Sequence, residues 1–66
     1  MNIIVNDSPY DFASPLTLHT LLARLEQPAT GCALAVNQVI VPHPEWTTHL
    51  LAEGDEVVIF QAIAGG

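Results

Sequence analysis

The run Glu56-Val-Val-Ile-Phe60 and the tail that follows it, Gln61-Ala-Ile-Ala-Gly-Gly66, decide the fold of this chain. The run is apolar and rich in β-branched residues, which is typical of a buried strand. Two glycines end the tail, and because glycine has no Cβ, another surface can approach their backbone closely. The ordinary interpretation of such an end is a frayed terminus. Since the pair follows an apolar strand so directly, we favour a thin tail, residues 62–66, that can enter a narrow channel and present its carboxylate.

The length and composition predict a single small domain over residues 1–66. Half of the residues are hydrophobic, which is enough to close a small core without a metal. Cys32 is the one cysteine, so no internal disulfide can form, and this favours a reducing compartment. The N-terminus does not resemble a signal peptide, and no apolar stretch approaches the roughly 20 residues that span a bilayer. We therefore expect a cytoplasmic protein that does not bind membranes.

The charge balance points to a protein partner. Seven acidic residues face one basic residue, Arg24, and the formal net charge is −6. Without a basic patch, binding to nucleic acid or to an anionic membrane is not expected. A small acidic domain is instead suited to association with a basic protein surface.

Residue periodicity predicts the first half of the fold. Alternating apolar residues indicate strands over 2–6 and 10–13, joined into a hairpin by a turn at Asp7-Ser8-Pro9. Thr17 is a good N-cap for a helix that extends to about Gln27, where a proline follows. Four leucines fall on one stripe of this helix, Leu18, Leu21, Leu22 and Leu25.

The second half is predicted to supply three more strands. Cys32–Val36 is apolar throughout and should lie inside the sheet, whereas Val39–Val41 is followed by prolines and should lie near an edge. One helical turn is expected over 44–47, and the last strand over 56–61. A single helix can cover one face of a mixed sheet, and the apolar first and last strands should pair at its centre. The expected fold is α+β, a β-grasp with about five strands and one main helix.

A possible docking face follows from the alternation in the last strand. If Val57 and Ile59 contact the helix, Val58 and Phe60 lie on the open side of the sheet, together with Ile4. The alternative is that the loop 43–53 folds over them. An exposed apolar face beside a slender tail would be a credible binding site.

The side chains suggest no catalytic or metal site. Cys32 has no obvious base and is best explained as a small core residue. His43 and His49 do not have the spacing of metal ligands, and no glycine-rich phosphate loop occurs, so neither a metal nor ATP should bind to the chain itself. The carboxylate of Gly66 remains as the chemical group. A partner enzyme could adenylate it, after which a lysine or a persulfide could displace AMP.

The sequence resembles the ThiS family of sulfur carriers in thiamine biosynthesis over nearly its whole length. The residues that carry the resemblance are Asn6-Asp7, Leu21-Leu22, Ala35-Val36-Asn37, Val41-Pro42, Trp46, Gly54-Asp55 and the end Phe60-Gln-Ala-Ile-Ala-Gly-Gly66. A Gly-Gly end alone is shared by ubiquitin-like proteins of several functions, but the combination is much more specific.

The resemblance implies a ubiquitin-like carrier that is not itself an enzyme and is a monomer when free. A ThiF-like E1 adenylyltransferase would use ATP to adenylate Gly66, and a cysteine desulfurase would supply the sulfur. The resulting thiocarboxylate would donate sulfur to a ThiG-like thiazole synthase. Gly65, Ala64 and Ile63 would occupy the partner's channel, while Phe60, with Val58 and Ile4, would lie in the docking face.

Two alternatives remain open at this stage. The first is MoaD, the related carrier of molybdopterin synthesis, although MoaD-like chains tend to have prolines where this chain has Gln61-Ala62. The second is a β-grasp interaction module whose tail does no chemistry. A ubiquitin-type modifier is less favoured, because Ala64 replaces the usual arginine.

Overall fold

The fold is a five-stranded mixed sheet with one helix, and the computed structural model describes it for residues 1–28 and 30–61. The elements in chain order are β1 Asn2–Val5, β2 Ser8–Asp11, α1 Leu18–Arg24, β3 Cys32–Val36, β4 Val39–Val41 and β5 Glu56–Gln61, with a short 3-10 turn at His43–Glu45 before β5. The strand order is β2-β1-β5-β3-β4. This confirms the expected α+β class and β-grasp arrangement.

The first and last strands pair in parallel at the centre of the sheet, as expected. Val5 lies opposite Val57, and Ile4 lies opposite Glu56. On its other side β5 pairs with β3 in antiparallel fashion, from Val36 opposite Val57 to Cys32 opposite Gln61. The strand that leads into the tail is therefore bounded by neighbours on both sides.

Two-residue turns of the same type close both hairpins. Asn6 and Asp7 have φ values of 49° and 69°, and Asn37 and Gln38 have values of 50° and 70°. Positive φ at both central residues is the type I′ geometry, whose twist matches that of the adjoining strands.

The start of the second strand was predicted incorrectly. The turn is Asn6-Asp7 rather than Asp7-Ser8-Pro9, and β2 covers 8–11 rather than 10–13. Pro9 is tolerated because β2 is an edge strand. The Phe12 amide donates to the Met1 carbonyl at 2.9 Å and therefore points toward β1. Because backbone nitrogens alternate in direction along a strand, the nitrogen of Pro9 points away from β1, where it needs no hydrogen-bond partner.

The helix begins as predicted but ends earlier. The side chain of Thr17 accepts a hydrogen bond from the Thr20 amide, which confirms the N-cap. The helix stops at Arg24 instead of near Gln27, because Glu26 adopts a φ of 57°. The amide of Gln27 then donates to the Leu22 carbonyl at 2.9 Å, in the pattern of a Schellman motif.

The core lies between α1 and one face of the sheet. Its buried side chains come from every strand except β2, from the helix and the segment before it, and from the loop after β4: Ile3, Val5, Leu16, Leu18, Leu21, Leu22, Leu34, Val36, Val41, Trp46, Leu51 and Val57. The Trp46 indole donates to the Val41 carbonyl at 2.9 Å, so its one polar atom is satisfied. Trp46 and Leu51 thus hold the loop 43–53 against this core.

Candidate functional site

Among residues 1–28 and 30–61, no element covers the face of the sheet opposite the helix. Val57 is buried against the core, whereas the alternate residues Val58 and Phe60 are 45% and 40% exposed and Ile4 is half-buried. The loop 43–53 contributes to the core cluster and leaves these side chains exposed. The alternative, that this loop folds over them, is therefore wrong. The binding role assigned to Ile4, Val58 and Phe60 stays a prediction.

Small residues of β3 lie between larger side chains on this side of the sheet. Phe60 lies opposite Ala33, and Val58 lies opposite Ala35. Ile40 of β4 pairs with Ala35 from the other side and is 59% exposed. Two alanines between larger side chains leave a shallow apolar surface, which we call the open face: Ile4, Ala33, Ala35, Ile40, Val58 and Phe60.

Ile40 was missing from the residues predicted for this surface. A turn of two residues at 37–38 fixes the register of the hairpin, and that register places residue 40 on the same side as residue 35. Both strands were predicted, and the two residues between them leave room only for a tight turn, so this information was available in the sequence.

Acidic side chains border one end of the open face. Glu56 shares a side of β5 with Val58 and Phe60 and is exposed. Asp7, Glu56, Ile4, Gln38 and Val58 line a shallow groove of about 180 Å³ at this end. The surface therefore combines an apolar centre with negative charge at its border, which suits a partner with an apolar site flanked by basic residues.

Hydrogen bonds from Asn6 hold β5 at two points along the strand. The backbone amide of Asn6 donates to the Val57 carbonyl at 3.0 Å, and its side-chain Oδ1 accepts from the Ile59 amide at 2.9 Å. On the opposite edge, pairing with β3 continues as far as Gln61. The predicted tail residues Ile63, Ala64, Gly65 and Gly66 lie outside the described residues.

A second asparagine holds the beginning of β5. Asn37 Oδ1 accepts from the Glu56 amide at 3.0 Å, and its Nδ2 donates to Asp55 Oδ1 at 3.0 Å. Its backbone amide also donates to the Glu56 carbonyl at 2.8 Å. Each end of β5 is thus attached to the turn of a neighbouring hairpin.

A groove of about 300 Å³ lies next to the end of β5, on the helix side. Tyr10, Leu25, Cys32, Ile59 and Gln61 are among its lining residues. The Cys32 thiol donates to the Pro28 carbonyl at 3.2 Å and packs against the core, which agrees with a structural role.

The described residues contain no group of three or more side chains that could hold a metal ion. Within the same part of the chain, no helix has the length and apolar character required to cross a membrane.

Comparison with known proteins identifies the family. The ThiS family model matches residues 3–66. The chain is 46% identical over 66 residues to the sulfur carrier protein ThiS of Escherichia coli, with 100% of both chains covered. It is similar to the crystal structure of a thiamine biosynthesis protein (ThiS) from Geobacter metallireducens, with a TM-score of 0.89, 25% identity and full coverage of both chains. A solution structure of a Geobacter metallireducens thiamine biosynthesis protein gives a TM-score of 0.78 at 26% identity, and the match covers 100% of this chain and 88% of that one. The chain belongs to the ThiS family.

Proposed function

We propose that this chain is a sulfur carrier of thiamine biosynthesis and that the carboxylate of Gly66 carries the sulfur. The observation that supports this most strongly is the match to the Escherichia coli sulfur carrier, which is 46% identical and whose alignment spans all 66 residues of this chain, the last two included. The anchoring of β5 on both edges supports it further, because a tail that follows a fixed strand leaves the domain in a defined direction.

The proposed chemistry has three steps. The Gly66 carboxylate attacks the α-phosphorus of ATP, pyrophosphate leaves, and an acyl-adenylate forms. A persulfide sulfur then attacks the acyl carbon, and AMP leaves. Finally, a thiol attacks the resulting acyl disulfide, is itself oxidised to a disulfide, and releases the thiocarboxylate that donates sulfur for thiazole formation.

In this proposal the chain contributes a substrate group and a docking surface, and the partners contribute the catalysis. A ThiF-like E1 adenylyltransferase binds the ATP, so the carrier itself holds no cofactor. A cysteine desulfurase supplies the persulfide, and a ThiG-like thiazole synthase accepts the sulfur. Ile63, Ala64 and Gly65 pass through the adenylating enzyme's channel, while Ile4, Val58 and Phe60 contact its surface, all in the cytoplasm.

Two observations favour this function over the alternatives. The family match and the full-length relative both belong to the thiamine carriers rather than to MoaD-like proteins. A plain interaction module would explain the open face, but it would not require a narrow Gly-Gly end after a strand anchored on both edges.

Intact-mass spectrometry tests the proposal directly. The untagged protein is purified without alkylating agents from thiamine-starved cells, with the adenylating enzyme and the desulfurase co-expressed. We expect a species heavier by the mass difference between one sulfur and one oxygen atom. Persistence of the unmodified mass alone would refute the carrier function and favour the interaction module.

Two tail variants serve as controls for this measurement. Deletion of Gly66, or addition of one residue after it, should abolish the heavier species, because the reacting carboxylate is displaced. Both variants should keep the wild-type circular dichroism spectrum, because the buried core residues of the described part of the chain lie between Ile3 and Val57, away from the altered end. A heavier species that survives the deletion would locate the modification elsewhere in the chain.

A further inference from the structure

The geometry points to Asn6 as a positioning residue for the tail. This inference rests on the proposed carrier function, and it assigns to the side chain of Asn6 the task of fixing the direction in which β5 leaves the sheet. The residue lies 53 positions from its partner Ile59 in the sequence.

The ladder between β1 and β5 is regular up to Asn6. The amide of Ile4 donates to the Asp55 carbonyl and the amide of Asn6 donates to the Val57 carbonyl, both at 3.0 Å. In a regular parallel pair, the next rung would join the Ile59 amide to the backbone carbonyl of residue 6. The chain turns at Asn6, with a φ of 49°, and cannot continue the strand.

The side chain of Asn6 supplies the missing acceptor. Its Oδ1 accepts from the Ile59 amide at 2.9 Å, so an amide side chain takes the place of the backbone carbonyl and extends the ladder by one rung. This rung holds β5 only two residues before Gln61, the last residue of the strand. No side-chain bond lies nearer to the tail among the described hydrogen bonds of β5.

The consequence for the proposed reaction concerns the population of competent conformers. When Ile59 is released, the end of β5 keeps its pairing with β3 but loses its attachment to β1. The tail then leaves the domain over a wider range of directions, and a smaller fraction of molecules presents Gly66 to the channel. A smaller competent fraction raises the apparent dissociation constant without altering the chemical step.

Asn37 provides a matched control within the same strand. It has the same residue type, the same turn position and nearly the same φ of 50°, and its Oδ1 accepts from an amide of β5. That amide belongs to Glu56, at the end of β5 away from the tail. Asn37 also donates a second bond to Asp55, so its loss should destabilise the domain more than the loss of Asn6.

The experiment compares Asn6→Gly with Asn37→Gly, because glycine keeps the turn and removes only the side chain. Adenylation is measured as exchange of radiolabelled pyrophosphate into ATP by the ThiF-like enzyme of the same organism, with the full-length carrier as substrate. We expect Asn6→Gly to raise the KM for the carrier about three- to tenfold at unchanged kcat, in line with the loss of one hydrogen bond. Asn37→Gly should change KM less than twofold.

Two further measurements separate positioning from stability. Amide hydrogen exchange at Ile59 and Phe60 should accelerate in Asn6→Gly and remain slow in Asn37→Gly. Asn6→Asp retains an acceptor oxygen and should restore KM to within about twofold of wild type. If KM rises more in Asn37→Gly than in Asn6→Gly, in proportion to the loss of stability, the inference is overturned. Unchanged amide exchange at Ile59 in Asn6→Gly would also overturn it. If the wild-type carrier supports no exchange at all, the proposed function fails, and the positioning role fails with it.

Discussion

Several residues other than glycine occupy left-handed backbone conformations at the turns and at the helix end. Asp7, Gln38 and Glu26 have φ values between 57° and 70°. An L-residue in this region carries a cost of about 1–2 kcal/mol, which asparagine and aspartate reduce through local hydrogen bonds. Gln38 has a longer side chain that offers less of this compensation. It is therefore the turn position at which the native residue fits least well.

We expect Gln38→Gly to stabilise the domain. Glycine removes the left-handed penalty, and its greater freedom in the unfolded chain offsets only part of the gain. The free energy of unfolding should rise by roughly 0.5–1 kcal/mol, measured by urea titration. Gln38→Ala keeps a Cβ at the same φ and should show no such gain. A loss of stability in the glycine variant would mean that the glutamine side chain makes a stabilising contact.

The ends of helices and strands are the parts of this fold that the sequence predicts least well. The helix start was predicted from Thr17, because an N-cap acts locally and depends on one side chain. The helix end was not predicted correctly, because the leucine stripe continues to Leu25 and the next proline is Pro28, whereas the chain turns at Glu26. The start of β2 was missed for a similar reason: Ser8-Pro9 has the composition of a turn, and only the edge position of the strand lets it pair.

The cap of α1 should matter because the helix is short. Seven residues are too few to be stable alone, so the helix depends on packing and on its ends. Thr17→Ala removes the acceptor for the Thr20 amide, and we expect the free energy of unfolding to fall by about 1 kcal/mol.

Thr17→Ser is the control for the cap prediction. Serine keeps the hydroxyl and should retain most of the wild-type stability in the same thermal or urea titration. Equal losses in the alanine and serine variants would attribute the effect to the methyl group of Thr17 rather than to its hydrogen bond.

At the scale of the whole molecule, one helix and one sheet leave the chain with two different faces. The side covered by α1 and the loop 43–53 forms the core, and no other described part of the chain covers the opposite side. The alternation in β5 was sufficient to predict this division and to name Val58 and Phe60. The hydrogen bond from Ile59 to Asn6 could not be predicted, because it depends on the exact register of strands from opposite ends of the chain.

Phe60 should contribute more to binding than to folding. Phe60 is 40% exposed and pairs with the small residue Ala33 on β3, so truncation to alanine should leave no closed cavity and should lower the free energy of unfolding by less than about 1 kcal/mol. A central aromatic residue in a desolvated interface can contribute about 2 kcal/mol or more, which corresponds to a roughly thirtyfold weaker complex. Isothermal titration calorimetry of Phe60→Ala with the adenylating enzyme measures the loss of affinity, and urea titration measures the change in the free energy of unfolding.

Leu50→Ala is the control for this prediction. Leu50 is 62% exposed and lies in the loop that packs on the helix side, with a backbone bridge to Thr17. If any exposed apolar side chain promoted association, its truncation would weaken the complex as much as that of Phe60. We expect wild-type affinity instead, because the open face and the tail at the end of β5 would dock together while the helix side remains in solvent. Equal losses of stability and of affinity in Phe60→Ala would show that Phe60 belongs to the core, and the docking surface would then have to lie elsewhere.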